Sequence, residues 1–236
     1  MRALFLQHDP GSRPGLVGRA LEGQGFDIDL LSMSDRIDDG AWRGRFPAAG
    51  DHDLLVPLGA IWSLHDRAQV GTWIDDELEL LRAADARGVP VLGICFGGQA
   101  LAAAHGGSVQ PAPTPEIGWT TVVTDDPQLV PPGPWMQWHS DGFTIPSGAQ
   151  ELARNEVGPQ AFRLRRNLGV QFHPEVDADN IAWWLELGGD ISTATLAGAG
   201  TTAEAILDDA RANATRAEAD VERLVTRFLA DVAGLA

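Results

Sequence analysis

A cysteine, a histidine and a glutamate in this 236-residue sequence have the types and neighbours needed for nucleophilic chemistry. Cys95 is the only cysteine, and it lies in the glycine-flanked segment 93–99, which reads GICFGGQ. An apolar run leads into this segment and an alanine-rich run leads away, which predicts a strand, a tight turn and a helix start. A thiol on such a turn faces the positive end of a helix dipole, and this favours a reactive thiolate.

A second segment, residues 171–175 with the sequence QFHPE, offers the base that a cysteine nucleophile needs. Among six histidines, only His173 has a carboxylate placed beside it by local geometry. A residue before proline is held extended, and side chains two positions apart in an extended chain point to the same side. We therefore expect Glu175 to orient His173 at the end of a strand, as a nucleophile–base pair requires.

Both segments also have non-catalytic interpretations. A cysteine can be a small buried core residue, and a histidine at a strand end can bond to a backbone carbonyl. The glycine turn around Cys95 and the carboxylate beside His173 favour catalysis. His139 and Glu116 stay open, because each could either support the fold or line a pocket.

The composition excludes several classes of function. The net charge is −16 and the isoelectric point is about 4.6, so the surface repels phosphate backbones and no nucleic-acid binding is expected. The chain contains no lysine, which excludes lysine Schiff bases and the lysine-containing phosphate loop. No histidine, cysteine or acidic group has metal-ligand spacing, so we expect neither a metal nor a cofactor.

The same sequence predicts a cytoplasmic protein that does not enter the membrane. No apolar segment approaches the roughly 18 residues that a membrane span needs, and the first residues do not form a signal peptide. A single cysteine cannot form an internal disulfide, which agrees with a reducing compartment.

Strand and helix patterns alternate in the first half of the chain. Strands are predicted over 2–7, 27–31, 53–56 and 89–94, with helices over 16–21 and 73–87. This alternation predicts a mostly parallel sheet with helices on both faces. After a proline-rich segment predicted as a loop, 110–115, short strands are predicted as an antiparallel addition to one sheet edge: 116–124, 135–139, 150–155, 160–165 and 168–173.

The C-terminal part has a different composition and is predicted as a helical extension. Residues 196–201 resemble a linker, and residues 202–233 resemble one or two helices. Six apolar residues there share one helical face: Val221, Leu224, Val225, Phe228, Leu229 and Val232. This face is predicted to pack on the chain's own core, and a dimer or partner surface is the alternative. We divide the chain into a domain over 1–190 and a helical extension over 191–236.

Together, the cysteine turn and the later His-Pro-Glu segment resemble the class I, triad-type glutamine amidotransferase family. Residues 116–119 (EIGW) and 138–141 (WHSD) are similar to segments of the branch related to the glutaminase domain of GMP synthetase. The resemblance covers roughly residues 50–185. It implies an α/β fold: a flavodoxin-like three-layer sandwich with a mostly parallel central sheet, an antiparallel extension and a C-terminal helical segment.

The family resemblance also implies a reaction, with no cofactor. Cys95 would attack the side-chain amide of glutamine, and His173 would act as base and then as acid for the leaving ammonia. Glu175 would hold His173, and water would hydrolyse the thioester to glutamate. The oxyanion hole would use the backbone N–H groups of Gly59 and Phe96. The substrate would contact five further residues: Gln99, His139, Ser140, Asp141 and Phe143.

Two positions depart from the family pattern. The oxyanion loop reads Leu58-Gly59-Ala60 where the family usually has Gly-Gly-Pro, and Ser140 replaces a glycine before Asp141.

The sequence leaves three candidate functions. The first is a glutaminase that supplies ammonia to a separate synthetase subunit, and assembly with further copies of this chain as a homo-oligomer is the other partner considered. The second is a free-standing γ-glutamyl hydrolase acting on another γ-glutamyl amide. The third is a non-catalytic binding or regulatory module.

Overall fold

The structure is a computed structural model that describes residues 1–235. Its strands are β1 (Arg2–Gln7), β2 (Asp27–Ser32), β3 (Leu54–Pro57), β4 (Leu92–Ile94), β5 (Val109–Thr120), β6 (Val123–Thr124), β7 (Trp135–Phe143), β8 (Gln150–Arg154), β9 (Pro159–Leu164) and β10 (Asn167–Val170). Its helices are α1 (Gly15–Gly23), α2 (Arg67–Val70), α3 (Ile74–Arg87), α4 (Phe96–Ala104), α5 (Ala178–Gly188), α6 (Asp190–Gly198) and α7 (Ala203–Arg227). A π-helical turn, Phe228–Ala233, continues α7.

A mixed central sheet carries the site. Its strand order is β2-β1-β3 followed by β4-β10-β9-β8-β6, and a parallel bridge between Leu55 and Val91 joins the two parts. The pairs from β2 to β3 and from β4 to β10 are parallel. The predicted flavodoxin-like fold with a mostly parallel core is confirmed. In such sheets the carboxyl ends of the strands form the edge where ligands bind.

The predicted antiparallel extension is also confirmed. Strands β9, β8 and β6 follow β10 in antiparallel order at one edge of the sheet. The strands β5 and β7 instead pair with each other as a separate two-stranded ribbon. This ribbon brings residues 138–141 to the carboxyl edge of the parallel strands.

The prediction of a loop over 110–115 was wrong, because these residues lie inside β5. Their pairing with β7 is irregular, with a register shift between Pro111 and Glu116. Proline has no N–H to donate to a strand ladder, so the prolines interrupt the hydrogen bonding without ending the extended chain.

The prediction of a linker over 196–201 was also wrong in its first half, because α6 extends to Gly198. Leu196 is buried in a small apolar cluster with Met136 and Ile206, so tertiary packing stabilises a helix that its composition did not indicate. The preceding helix α5 was not predicted either, although Asp177 caps it by accepting a hydrogen bond from the N–H of Asn180.

The apolar face of α7 and of the π-helical turn lies in the main core of the protein. All six residues of the predicted stripe are buried, and they share a cluster with Val17 and Leu21 of α1. The chain itself therefore covers this face. Within residues 1–235, no helix is both long and apolar enough to cross a membrane.

Candidate active site

Cys95 lies at the sharp turn between β4 and α4. Its backbone has φ +50° and ψ −107°, an uncommon conformation for a residue other than glycine. The turn is pressed between neighbouring strands, since a Cβ on Gly97 would lie 2.0 Å from the carbonyl oxygen of Pro57. A Cβ on Gly98 would lie 2.5 Å from that of Val170. The glycines therefore allow the thiol to stand at the carboxyl edge of the sheet, at the start of α4.

His173 and Glu175 form the contact that the sequence predicts. The Nδ1 of His173 donates to Oε1 of Glu175 at 2.7 Å, and both side chains are buried. The backbone N–H of His173 also donates to the carbonyl of Met136 on β7, at 2.8 Å. These bonds fix the imidazole and leave its buried Nε2 without a hydrogen-bond partner among the described residues. That nitrogen is therefore available for proton transfer.

The site favours the protonated form of His173. Burial alone would lower the pKa of this imidazole, but negative charge at Cys95 and the carboxylate of Glu175 outweigh burial. The pKa of His173 therefore lies well above 6.5. A protonated imidazole at this position can give a proton to a leaving group.

Gln171 contacts the nucleophile, and it is a site residue that the sequence interpretation missed. Its Nε2 donates to Sγ of Cys95 at 3.6 Å, and its Oε1 accepts from Nε2 of Gln99 at 3.3 Å. The same Gln99 nitrogen lies 3.2 Å from the carbonyl oxygen of Asp141. The alternation of side chains in an extended strand could have revealed Gln171, which is two residues before His173.

His139 is held by a hydrogen bond through Nδ1, and its buried Nε2 makes no hydrogen bond among the described residues. Its Nδ1 donates to the carbonyl oxygen of Asp141 at 2.9 Å, and its Nε2 lies 3.1 Å from Oε2 of Glu116. Glu116 also accepts from Asn155 and Gln160, at 2.6 and 2.9 Å. A buried polar network therefore supports the 139–141 segment from below, and both open interpretations of His139 hold: it supports the fold and it lines the cavity.

A cavity of about 390 Å³ opens above the nucleophile. Eight of the ten predicted site residues line it: Gly59, Cys95, Phe96, Gln99, His139, Ser140, Asp141 and His173. Glu175 lies behind His173, as its predicted orienting role requires. One part of the cavity wall is largely apolar and includes Trp138, Trp184 and Ile191. Among residues 1–235, no group of three or more histidine, cysteine or acidic side chains could hold a metal ion.

Phe143, which the sequence resemblance predicts to contact the substrate, does not line the cavity. Its ring is buried and packs edge-on against Phe162, with 5.1 Å between the ring centres. It belongs to the core cluster around α3 and α4 and does not line the cavity. Of the residues on β7, those that line the cavity are Trp138, His139, Ser140 and Asp141.

Asp9 is another contributor that the sequence interpretation missed. It lies just after β1, where its Oδ2 accepts from the N–H of Ile61 at 2.8 Å and its Oδ1 accepts from that of Gly11 at 2.7 Å. Burial raises the pKa of this carboxyl, although the backbone donors oppose that rise. Asp9 thereby ties the loop after β1 to the loop after β3, which carries Gly59.

Gly59 contacts the imidazole so closely that a larger residue should disturb it. A Cβ at this position would lie 3.0 Å from Cε1 of His173. Since Glu175 and Met136 hold the imidazole, we expect Gly59→Ala to lower kcat about 10–10²-fold by displacing the imidazole. Steady-state glutamine hydrolysis checks this result.

Gly142→Ala is the matched control for Gly59→Ala, because a Cβ at Gly142 would meet nothing within 4 Å. The control variant should retain the parent kcat. Equal activity of the two variants would contradict the close contact between Gly59 and the imidazole.

Comparison with known proteins gives three consistent matches. A GMP synthase (glutamine-hydrolyzing) of Nitrosomonas eutropha is 40% identical over 106 residues, which cover 38% of this chain and 20% of the synthase. An aminodeoxychorismate synthase of Streptomyces griseus is 35% identical over 149 residues, which cover 59% of this chain and 19% of that protein. The crystal structure of a glutamine amido transferase from Methylobacillus flagellatus aligns with a TM-score of 0.83 and 27% identity, covering 98% of this chain and 95% of that one.

The fold and the site first define a class: an α/β protein of flavodoxin-like fold with a cysteine, a histidine and a glutamate at the carboxyl edge of its sheet. Residues 65–180 then match the family model described as glutamine amidotransferase class-I. Residues 65–180 therefore form a class I glutamine amidotransferase domain, as the sequence resemblance indicated. The chain spans about a fifth of the length of the curated relatives it matches.

Proposed function

We propose that this protein hydrolyses the side-chain amide of glutamine through a thioester on Cys95 and supplies the ammonia to a separate synthetase. The observation that carries this proposal is the 2.7 Å hydrogen bond from His173 to Glu175, together with a cavity that both His173 and the only thiol of the chain line. The proposed reaction takes place in the cytoplasm, where a lone thiol stays reduced.

In the first half of the reaction, Sγ of Cys95 attacks the amide carbon. The negative oxygen that develops is stabilised by the N–H groups of Gly59 and Phe96, and each such donor is typically worth about 10²–10³ in rate. His173 gives its proton to the leaving nitrogen, the carbon–nitrogen bond breaks, and ammonia departs. Glu175 keeps the imidazole oriented throughout.

In the second half, water attacks the thioester. His173 accepts the proton of this water, the carbon–sulfur bond breaks, and glutamate leaves with Cys95 restored. We assign Gln99, Ser140 and Asp141 to substrate contact, because they line the cavity and have polar side chains that can bond to a substrate. His139 contributes by holding the carbonyl of Asp141.

The proposed partner is a synthetase unit that lies outside residues 1–236. The relatives support this assignment, because the named GMP synthase and aminodeoxychorismate synthase match this chain over only a fifth of their own length. About four fifths of each of those enzymes lies outside the matched segment.

A second candidate, hydrolysis of an N-substituted γ-glutamyl amide, is favoured by the aromatic wall. His173 is the proposed acid for the leaving group, and its ring meets Trp184 edge-on at 5.1 Å between centres. Trp138 meets Trp184 in turn at 5.6 Å. A leaving amine larger than ammonia would therefore depart along an apolar surface that suits an alkyl or aryl group.

One substrate panel tests both candidates. The reduced protein is incubated with glutamine and with γ-glutamyl alkyl and aryl amides, and glutamate release is measured alone and with candidate synthetases. Glutaminase function predicts the highest kcat/KM for glutamine and a rise when the partner is added. A preference for a substituted amide would support the hydrolase instead. No release from any substrate would reject both candidates and favour a binding module.

A further inference from the structure

A second histidine–carboxylate pair is buried beneath the oxyanion loop and has no part in the reaction steps above. His8 is the first residue after β1, and Glu77 lies in the first turn of α3. Both side chains are fully buried. The Nε2 of His8 lies 3.1 and 3.0 Å from the two carboxylate oxygens of Glu77. Its Nδ1 lies 3.1 Å from the carbonyl oxygen of Gly59.

These contacts determine where the protons are. A carbonyl oxygen can only accept, so Nδ1 of His8 carries a proton that it donates to Gly59. The Nε2 faces a carboxylate, so it carries a proton as well, and the pair is an imidazolium with a carboxylate. Burial alone would lower the pKa of His8, but Glu77 outweighs burial and raises the pKa above 6.5.

The pair contacts Gly59, one of the two residues whose N–H groups are assigned to the oxyanion hole. The peptide before Gly59 is fixed because the N–H of Gly97 donates to the carbonyl of Leu58 at 3.0 Å. The peptide after Gly59 is fixed by His8 and by the hydroxyl of Ser12, which donates to the same carbonyl oxygen at 2.8 Å. A glycine otherwise rotates freely about both backbone bonds.

The ring of His8 also packs against the other proposed oxyanion donor. Its centre lies 4.9 Å from that of Phe96 and 5.3 Å from that of Trp73, with which it is stacked. One buried side chain therefore contacts both residues whose N–H groups are assigned to the oxyanion hole.

We propose that His8 and Glu77 are a positioning pair: by holding the carbonyl of Gly59 they fix the peptide after this glycine, and together with the Gly97 bond to the peptide before it they keep the Gly59 N–H directed at the developing oxyanion. This inference rests on the proposed function. It also gives a physical substitute for the proline that the family usually carries after this glycine, because a charged hydrogen bond restrains the loop here.

The test separates oxyanion stabilisation from thiol reactivity in the full chain. The variant His8→Leu/Glu77→Leu removes the pair and leaves no unpaired buried charge, a replacement that is often neutral for stability. Three rates are measured: glutamine turnover, acylation by p-nitrophenyl acetate, and alkylation by iodoacetamide. The first two pass through an oxyanion, whereas alkylation at a saturated carbon does not.

We expect glutamine kcat and ester acylation to fall together by about 10-fold or more, with the alkylation rate and the KM for glutamine within about twofold of the parent. The control His52→Leu removes a buried imidazole that contacts Asp29 away from the cavity, and it should change none of the three rates. Unchanged acylation would overturn the proposal, and so would an equal loss of acylation and alkylation.

If the double variant does not fold, the single variant Glu77→Gln tests the positioning role instead. Glu77→Gln keeps the shape of the pair but removes its charge, and it should slow acylation about threefold or more while alkylation stays unchanged. Acylation at the parent rate would then overturn the proposal. If the ester acylates the parent protein but the protein never hydrolyses glutamine, the proposed function fails, and the acylation rates of the variants still test the positioning role of His8 and Glu77. If the parent protein reacts with neither the ester nor glutamine, both the proposed function and the positioning role fail.

Discussion

Replacing Cys95 with alanine is expected to lower glutamine hydrolysis by about 10⁴–10⁶-fold, which is the size of effect seen when a nucleophile is removed from a comparable site. The sequence has no other cysteine, so no second thiol can take over the reaction. Glutamate formation under saturating glutamine measures the loss, and a thiol titration that falls to zero verifies the substitution.

Cys95→Ser is the geometric control for this experiment. Serine keeps the position of the nucleophilic atom, but its hydroxyl is far less ionised than a thiol beside an imidazolium. Both variants should fold like the parent, because the side chain at this position is small and the turn is set by Gly97 and Gly98. Activity within 10-fold of the parent in the folded alanine variant would contradict the assignment of Cys95 as the nucleophile.

Replacing Glu175 with glutamine should lower kcat by about 10²–10⁴-fold while the fold is retained. The carboxylate accepts the Nδ1 proton of His173 at 2.7 Å, whereas a glutamine amide can donate to Nδ1 and move the proton to Nε2. An imidazole in that tautomer cannot accept a proton from the thiol or from water. Glu22→Gln on the exposed face of α1 is the matched control and should behave like the parent.

The same variant should change how stability depends on pH. The folded-state pKa of His173 lies well above 6.5, so its ionisation contributes stability that is fully present below about pH 6.5 and is lost as pH rises through the folded pKa. Removing the Glu175 charge lowers the folded-state pKa of His173, so this stability is lost at a lower pH than in the parent. The free energy of unfolding in urea, measured from about pH 6 to about pH 10, should converge for parent and variant at the alkaline end. A constant difference at every pH would contradict the assigned ion pair.

The catalytic part of the site could be predicted because its geometry is local. Three constraints determine it: the glycines around Cys95, the proline after His173, and the two-residue spacing to Glu175. Each acts within a few residues, so the sequence pattern is enough. The mostly parallel core could be predicted for the same reason, since strand and helix periodicities alternate along the chain.

The supporting part of the site could not be predicted, because it depends on contacts between distant segments. His8 follows β1, Gly59 follows β3 and Glu77 lies on α3. These residues come into contact only when the chain folds, and no local sequence pattern predicts their contact. Phe143 also shows the limit of local reasoning, since it is close in sequence to Asp141 but packs in the core and does not line the cavity. The helix α6 likewise depends on the burial of Leu196, which its flanking small residues do not indicate.

Covalent labelling by a glutamine-analogue electrophile, followed by peptide mass spectrometry, tests most directly whether Cys95 is the nucleophile of a glutaminase. We predict one label per chain, confined to the peptide that contains Cys95, with glutamine slowing its appearance in proportion to site occupancy. The His173→Ala variant should label far more slowly at the same position. Label on any other residue, or labelling of Cys95 that glutamine does not slow while glutamine is being hydrolysed, would contradict the proposed mechanism.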